Sequence, residues 1–231
     1  MRQQSHWSEQ ALDVKTSAPM DDTAKSILFL IAGWLLGTLS PVIAESIRRS
    51  RDATTTHKAI RAELDEIRIL ATLAAYYIQM RFGTIDRAYL DWVRSVLRSY
   101  TGRTVVSKML VSVEAQLATT DEAIAAMAAI QRAGPGGAIG VRKVIAPILD
   151  TRLPIIWQLD NLLQRQLMDV RRNLDLMNED VDEAKYYLRL TFSQMDETLR
   201  GSVNASLDAA YRRVSDRAKM VVDRIDAVSR L

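Results

Sequence analysis

The chain has 231 residues, of which 48% are hydrophobic and 26% charged, and its formal net charge is +3. These fractions are typical of a folded protein rather than a disordered one. The absence of cysteine excludes disulfides, cysteine-ligated zinc and a thiol nucleophile. With only nine glycines and five prolines, the composition favours helix over strand.

The positive charge is localised rather than spread over the chain. Arg48, Arg49 and Arg51 lie close together, whereas acidic and basic residues nearly balance over 62–231. A nucleic-acid-binding domain would carry a dense basic stripe, so we expect no nucleic-acid partner. Arginine far outnumbers lysine, which suggests a bacterial source with GC-rich DNA.

Residues 26–44 (SILFLIAGWLLGTLSPVIA) contain no charged side chain. As a helix, these 19 residues would extend about 28 Å, close to the roughly 30 Å thickness of a bilayer's hydrocarbon core. The sequence therefore predicts one transmembrane helix. It follows a short polar tail, residues 1–25, which we expect to be disordered, and Met20 is an alternative start.

The basic residues after this segment predict its orientation. Because flanking arginine and lysine favour the cytoplasmic side, we expect the C-terminal part to lie in the cytoplasm. The N-terminus would then lie on the outer side of the cell's inner membrane. Two alternatives are a cleaved signal peptide ending near Ala44 and a buried helix of a soluble protein. The acidic leader and the arginines that follow argue against export.

Small residues in the same segment predict helix association. Gly33 and Gly37 form a G-x-x-x-G pair that Ser40 extends, and such small faces let two helices approach closely in lipid. We expect a homo-oligomer or a contact with another protein at this face. The three arginines at 48, 49 and 51 are expected to mark the topology and to contact anionic lipid headgroups.

Residues 45–133 are predicted to form a juxtamembrane helix and the first helices of a bundle. Apolar residues at helical spacing predict a helix that ends at Gly83 and is buried on most sides over 69–80. The same spacing predicts two further helices over 85–100 and 105–117.

The next stretch contains a helix start and a linker. Thr119 and Glu122 match a capping box, in which a hydroxyl and a carboxylate each accept a hydrogen bond from a free backbone N–H, and they would begin a helix at Ala123–Arg132. The glycine- and proline-rich residues 134–140 predict a linker. A short helix is expected around Val141–Ile145.

Residues 141–231 are predicted to supply the long amphipathic helices of the bundle. Apolar residues recur at steps of three or four from Ile156 to Val228, with an average near 3.6 rather than the 3.5 of a coiled coil. Asn178 and Gly201 mark predicted breaks. The expected helices are 153–177, 179–200 and 203–230. The predicted fold is thus an all-α, antiparallel helical bundle tethered by one membrane helix.

Motifs that would indicate chemistry are incomplete in this chain. Residues 134–143 (GPGGAIGVRK) resemble a phosphate-binding loop, but Ile139 stands where the second glycine is required. The acidic run at 178–183 lacks the glycine of a calcium loop, and helix-start charges explain it better. His6 and His57 have no partner at metal-ligand spacing. We therefore predict no catalytic residue, metal or cofactor.

These observations favour a non-catalytic interaction, scaffold or regulatory protein held at the cytoplasmic face of a bacterial inner membrane. Its expected partners are lipid, a second copy or another protein, and no small-molecule substrate is indicated. One alternative is a membrane-acting effector of the defence or toxicity type, whose transmembrane helix assembles on triggering. Another is an enzyme with an unrecognised site.

Overall fold

The computed structural model describes residues 22–102, 104–134, 137–152 and 159–230, and these residues contain helices but no strand. The helices are α1 (Asp22–Phe82), α2 (Arg87–Ser99), α3 (Ser107–Leu117), α4 (Asp121–Gln131), α5 (Pro147–Arg152), α6 (Asn161–Thr191) and α7 (Glu197–Val228). The predicted all-α class is confirmed. The chain divides into two compact units, 1–51 and 52–231.

In the first unit, α1 begins at Asp22, whose carboxylate accepts a hydrogen bond from Lys25 at 3.2 Å. Within 26–44 the structure describes the side chains of residues 26–31, 33, 34 and 37. None of the helices, so far as their residues are described, combines the length and the apolar character needed to cross a membrane. Most of the polar tail lies outside the described residues. So do the side chains of Ser40, Arg48, Arg49 and Arg51.

In the second unit, side chains from every helix meet in one apolar core. The part of α1 predicted to be buried is covered on most sides, although Leu70 and Tyr77 remain 41% and 53% exposed. Gly83 ends α1 with a φ of +65°, where glycine pays no Cβ penalty. Its N–H donates to Met80 O and that of Thr84 donates to Gln79 O, so two free carbonyls of the last turn gain partners.

Helices α2, α3 and α4 follow the predicted pattern, with one shift at a helix start. The predicted cap at Thr119 is wrong: Thr120 is the N-cap of α4, and its hydroxyl accepts from Ala123 N at 3.3 Å. The Thr119 hydroxyl instead donates to Gln116 O, at the end of α3. Arg87 braces the connection by donating to Leu117 O at 2.8 Å.

Helices α6 and α7 form the most extensive helix pair, and their breaks are not where the sequence predicts them. Asn178 lies inside α6 and Gly201 inside α7, whereas the connection falls at residues 192–196. Asp196 caps α7 by accepting from Leu199 N at 2.7 Å. Such a short connection makes the two helices antiparallel neighbours. Residues 153–158, where the first of these helices was predicted to begin, lie outside the described residues.

Residues 137–146, called the strap below, are not helical, so the predicted helix around Val141–Ile145 is wrong. From 137 to 142, partly buried and exposed residues alternate strictly, which is the period of an extended chain. Val144 and Ala146 are then buried, each 4% exposed. Pro147 begins α5, a position where its missing N–H costs nothing.

Candidate functional site

The apolar segment of the first unit, residues 26–44, presents large side chains in every direction around its helix over residues 27–31. Ile27, Leu28, Phe29, Leu30 and Ile31 are between 50% and 76% exposed. Successive helical residues are rotated by about 100°, so five in a row surround the helix. An amphipathic helix of a globular protein would instead cover one apolar stripe.

The two glycines of the predicted association face have free space beside them. A Cβ atom added to Gly33 or Gly37 would meet nothing within 4 Å, and both residues are exposed. This face is therefore open to a neighbouring helix, while association itself stays a prediction. Ser40, the third member, has its side chain outside the described residues.

In the second unit, Arg81 of α1 is the centre of a buried polar cluster. Its side chain is 4% exposed and forms an ion pair with Asp208 at 2.6 Å. Its Nε donates to Gly137 O at 2.6 Å, which fixes the start of the strap. The guanidinium lies 4.9 Å and 5.0 Å from the ring centroids of Phe82 and Tyr211, so both rings can contribute cation–π attraction.

Two further side chains bind the strap from α6 and α7. The Tyr211 hydroxyl donates to Ile139 O at 2.8 Å and accepts from Ile139 N at 3.3 Å. Asn178 donates to Val144 O at 2.8 Å and accepts from Val144 N at 3.0 Å. Each side chain satisfies both backbone groups of one strap residue, as a neighbouring strand would.

The segment after the strap is held by a buried carboxylate. Glu63 of α1 is 9% exposed, and its two oxygens accept from Ile148 N at 2.7 Å and Leu149 N at 2.6 Å. These N–H groups belong to the first turn of α5, where backbone N–H groups have no hydrogen-bond acceptor within their own helix. Glu63 therefore acts as the cap of a helix that lies far from it in sequence.

A groove, defined here as the space between the strap and Leu70, Ala74 and Tyr77 of α1, lies open to solvent. Its volume is about 650 Å³, and it passes Gly140 and Arg142 of the strap. The exposed side chains of Leu70 and Tyr77 give it an apolar wall. Arg142 has no hydrogen bond or ion pair within the described residues.

A second cavity, of about 370 Å³, lies between α1, α6 and α7. Its walls are aliphatic and include Ile60, Leu163 and Val228, while His57 and Asp160 lie at its polar parts. Asp160 already accepts from Leu162 N at 2.8 Å as the cap of α6. The cavity therefore lacks a group of uncommitted polar side chains that would select a ligand.

The acidic run at 178–183 serves to join elements, and the interpretation as helix-start charges is wrong because the run lies inside α6. Asp180 and Glu183 bind Arg213 of α7 at 3.0 Å and 2.5 Å, and Asp182 binds Lys143 of the strap. The hydrogen bonds that Arg213 donates to Glu183 and, to a smaller extent, to Asp180 raise the pKa of its guanidinium. Over the described residues, no group of three or more His, Asp or Glu is placed to hold a metal ion.

The features above define the chain as an all-α protein with an apolar N-terminal segment and a strapped helical unit. No protein-family model, curated protein or solved structure matches the chain. Its function must therefore be argued from its own residues.

No sequence pattern identifies the polar residues that hold the strap. Arg81, Glu63 and Asn178 look like ordinary helix residues, because their partners are backbone groups distant in the chain. One signal was present for the strap itself. The β-branched residues Ile139, Val141, Val144 and Ile145 follow one another closely, and such residues favour extended chain over helix.

Proposed function

We propose that this chain is a single-pass membrane protein whose helical unit binds other proteins, without catalysis, at the cytoplasmic face of a bacterial inner membrane. The proposal rests on one observation above all. The uncharged segment 26–44 carries large apolar side chains that are exposed on all sides of the helix over residues 27–31.

The energetics favour an environment that surrounds the helix. Burying one large aliphatic or aromatic side chain contributes about 1.5–3 kcal/mol, and five such consecutive residues stand exposed. A partner packed on one side would leave the opposite side in water. A lipid bilayer covers every side at once, and the length of the segment suits the hydrocarbon core.

The orientation follows from the charged residues that flank the segment. Arg48, Arg49 and Arg51 lie shortly after it, beyond Glu45, whereas Lys25 before it is accompanied by Asp21 and Asp22. Because basic residues in short flanks are retained on the cytoplasmic side, the helical unit would face the cytoplasm. The same arginines would contact anionic headgroups.

A non-catalytic role for the helical unit is supported by where its charges are used. Several carboxylates and guanidinium groups are engaged in joining helices, as in the pairs of Arg81 with Asp208 and of Arg213 with Asp180. A groove with an apolar wall is open to other molecules. Such surfaces commonly bind protein segments.

The test of membrane anchoring is extraction of membranes with alkaline carbonate, which releases peripheral proteins and leaves integral ones. The wild-type chain should stay in the pellet. The double variant Ile31→Arg/Leu35→Arg should be released or fail to insert, since each arginine near the helix centre opposes insertion by about 3 kcal/mol. A C-terminal tag should resist protease added to spheroplasts.

A matched control places the same two charges elsewhere. Val105 and Ile130 are each 83% exposed in the second unit, so Val105→Arg/Ile130→Arg should remain membrane-bound. Wild-type protein in the carbonate supernatant would reject the anchor. Cleavage of the C-terminal tag from the periplasmic side would reject the orientation.

The open faces of Gly33 and Gly37 favour a second candidate, a membrane-acting effector whose helices assemble in the bilayer. In that case the helical unit would restrain assembly until a trigger releases it. The two functions differ in their effect on cells. An effector would lower the membrane potential when it is overproduced, and an interaction protein would not.

A further inference from the structure

The strap is tethered along one edge only. Ile139 and Val144 use their backbone groups to bind Tyr211 and Asn178, which belong to α7 and α6. The Val141 N–H donates to Ile139 O at 3.1 Å, which directs it to the same edge. The strap is thus fixed to α6 and α7 by side chains, and no strand lies beside it among the described residues.

The opposite edge of the strap carries free backbone groups. Neither Gly140 nor Arg142 uses its N–H or C=O in a hydrogen bond within the described residues. From 137 to 142, alternate residues direct these groups to the same side, as in any extended chain. The alternation shifts by one residue at Arg142 and Lys143, which are both exposed, so the groups of Val144 return to the tethered edge. The hydrogen bond from the Val141 N–H to Ile139 O closes a three-residue turn. The N–H and C=O of Gly140, its central residue, lie on the outer side of that turn. Such an edge accepts an added strand.

The groove provides the space that an added strand would occupy. It runs along residues 138–144 and is closed on its other side by Leu70, Ala74 and Tyr77. A Cβ atom on Gly140 would meet nothing within 4 Å, so the approach to the backbone is clear. Alternate side chains of an incoming strand would contact the apolar wall, while the others would point to solvent.

The positive charge of the strap indicates which kind of segment would bind along its free edge. Arg142 lies on the outward face of the strap, exposed and without an ion pair, next to Lys143, whose amine is bound by Asp182. A second copy of this chain would bring another Arg142 and Lys143 to the same edge, and like charges across paired strands are destabilising. A segment with outward acidic residues would instead gain a cross-strand ion pair.

We infer that the free strap edge at Gly140 and Arg142 binds an extended segment of another protein as an added β-strand, with apolar residues toward the groove and acidic residues toward Arg142. The inference deepens the proposed interaction function and depends on it only for its role in the cell. Backbone pairing would supply affinity, and the groove and Arg142 would supply specificity.

The inference is tested with a fluorescein-labelled, end-capped peptide, TVEIEVT, added to the full chain in detergent micelles. We expect saturable binding below about 1 mM, because short strands bind weakly. The amide protons of residues 140 and 142 should become protected from hydrogen exchange in the complex. A peptide of the same sequence with alternate N-methyl groups, which cannot pair as a strand, should not bind.

Variants of the strap distinguish backbone pairing from non-specific binding. Gly140→Pro removes one N–H and should abolish binding, while Gly140→Ala keeps that N–H in open space and should bind normally. Arg142→Glu should weaken binding by about fivefold to tenfold, as expected for one exposed ion pair turned into a repulsion. Arg165→Glu, an exposed change on α6, is the matched control and should have no effect.

Three results would overturn the inference: no binding at millimolar peptide, equal binding of the N-methylated peptide, or equal binding by Gly140→Pro. Protection of residues 140 and 142 in a dimer of the chain alone would show that a second copy is the occupant, and would also overturn it. Because micelles replace the bilayer here, these failures are separate from failure of the carbonate test.

Discussion

Asn178 does for the strap what a neighbouring strand would do. One amide side chain satisfies both the N–H and the C=O of Val144, a residue that is only 4% exposed. Buried backbone groups left without partners cost about 1–3 kcal/mol each, so the carboxamide allows this strap residue to be buried without that cost. The stretch is ordered by side chains of this kind rather than by a ladder of backbone bonds.

Tyr211 has the same role at Ile139, and its ionisation provides a test at high pH. Burial raises the pKa of the Tyr211 hydroxyl above its ordinary value of 10.0. The folded protein then holds the phenolic proton more tightly than the unfolded chain. The stability this contributes is complete below about pH 10 and is lost as the pH rises through the folded-state pKa.

We therefore expect Tyr211→Phe to make the fall in unfolding free energy above about pH 10 shallower than in the wild type. At pH 7 the variant should be less stable by about 1–3 kcal/mol, since the Ile139 N–H loses its partner and the Ile139 C=O keeps only the Val141 N–H. Urea unfolding followed by circular dichroism at pH 7 to 11.5 measures both effects. Tyr77→Phe, at a ring that is 53% exposed, should not alter stability at pH 7. An unchanged alkaline slope in Tyr211→Phe would contradict the argument.

At the scale of elements, apolar periodicity correctly predicted the helices that carry a regular stripe of buried apolar residues. The stripe of Val93, Val96 and Leu97 anticipated α2, and that of Met109 and Val113 anticipated α3. The breaks between helices were harder to place. Asparagine and glycine often begin or end a helix, but tertiary contacts can override that local preference. Asn178 continues α6 since its side chain is engaged by the strap rather than by its own helix.

The same limit explains the strap and the candidate site. Residues 141–145 match a helical spacing as well as an extended one, and only the partners on α6 and α7 decide between them. The apolar segment was found from composition alone, because its signal is local. The groove was not, since its two walls lie far apart in the sequence, at Leu70 and at Val141.

Gly201 and Gly83 give opposite predictions because of the elements they occupy. Gly201 lies inside α7, and a Cβ there would meet nothing within 4 Å, so Gly201→Ala should stabilise the protein by about 0.5–1 kcal/mol. Gly83→Ala should destabilise it by at least as much, because φ is +65° and the new Cβ would lie 2.8 Å from Ala128 O. Urea midpoints measured in the same detergent compare the two. A destabilising Gly201→Ala would mean that α7 is broken there after all.

At the scale of the whole molecule, the two proposed properties place different demands on one chain. The segment 26–44 must suit lipid on all sides, whereas the helical unit must remain folded in water and keep one backbone edge free. Ion pairs such as those of Asp180 and Glu183 with Arg213 join its helices without covering that edge. An anchored protein with a free edge gathers partners at the membrane surface.

Gly37 allows the interaction role to be distinguished from the effector role. Since a Cβ at this position meets nothing within 4 Å, Gly37→Ile should leave the folded chain undisturbed and change only what approaches from outside. If helices associate through Gly33 and Gly37, energy transfer between labelled copies in vesicles should fall severalfold in this variant, because the added branch separates the backbones. Thr38→Ile, the same new side chain at the next residue in the sequence, is the matched control. An interaction protein would show this loss with no change of membrane potential in overproducing cells. If wild-type protein depolarises the cells and Gly37→Ile does not, the effector function is correct and the proposal of a passive anchor is wrong.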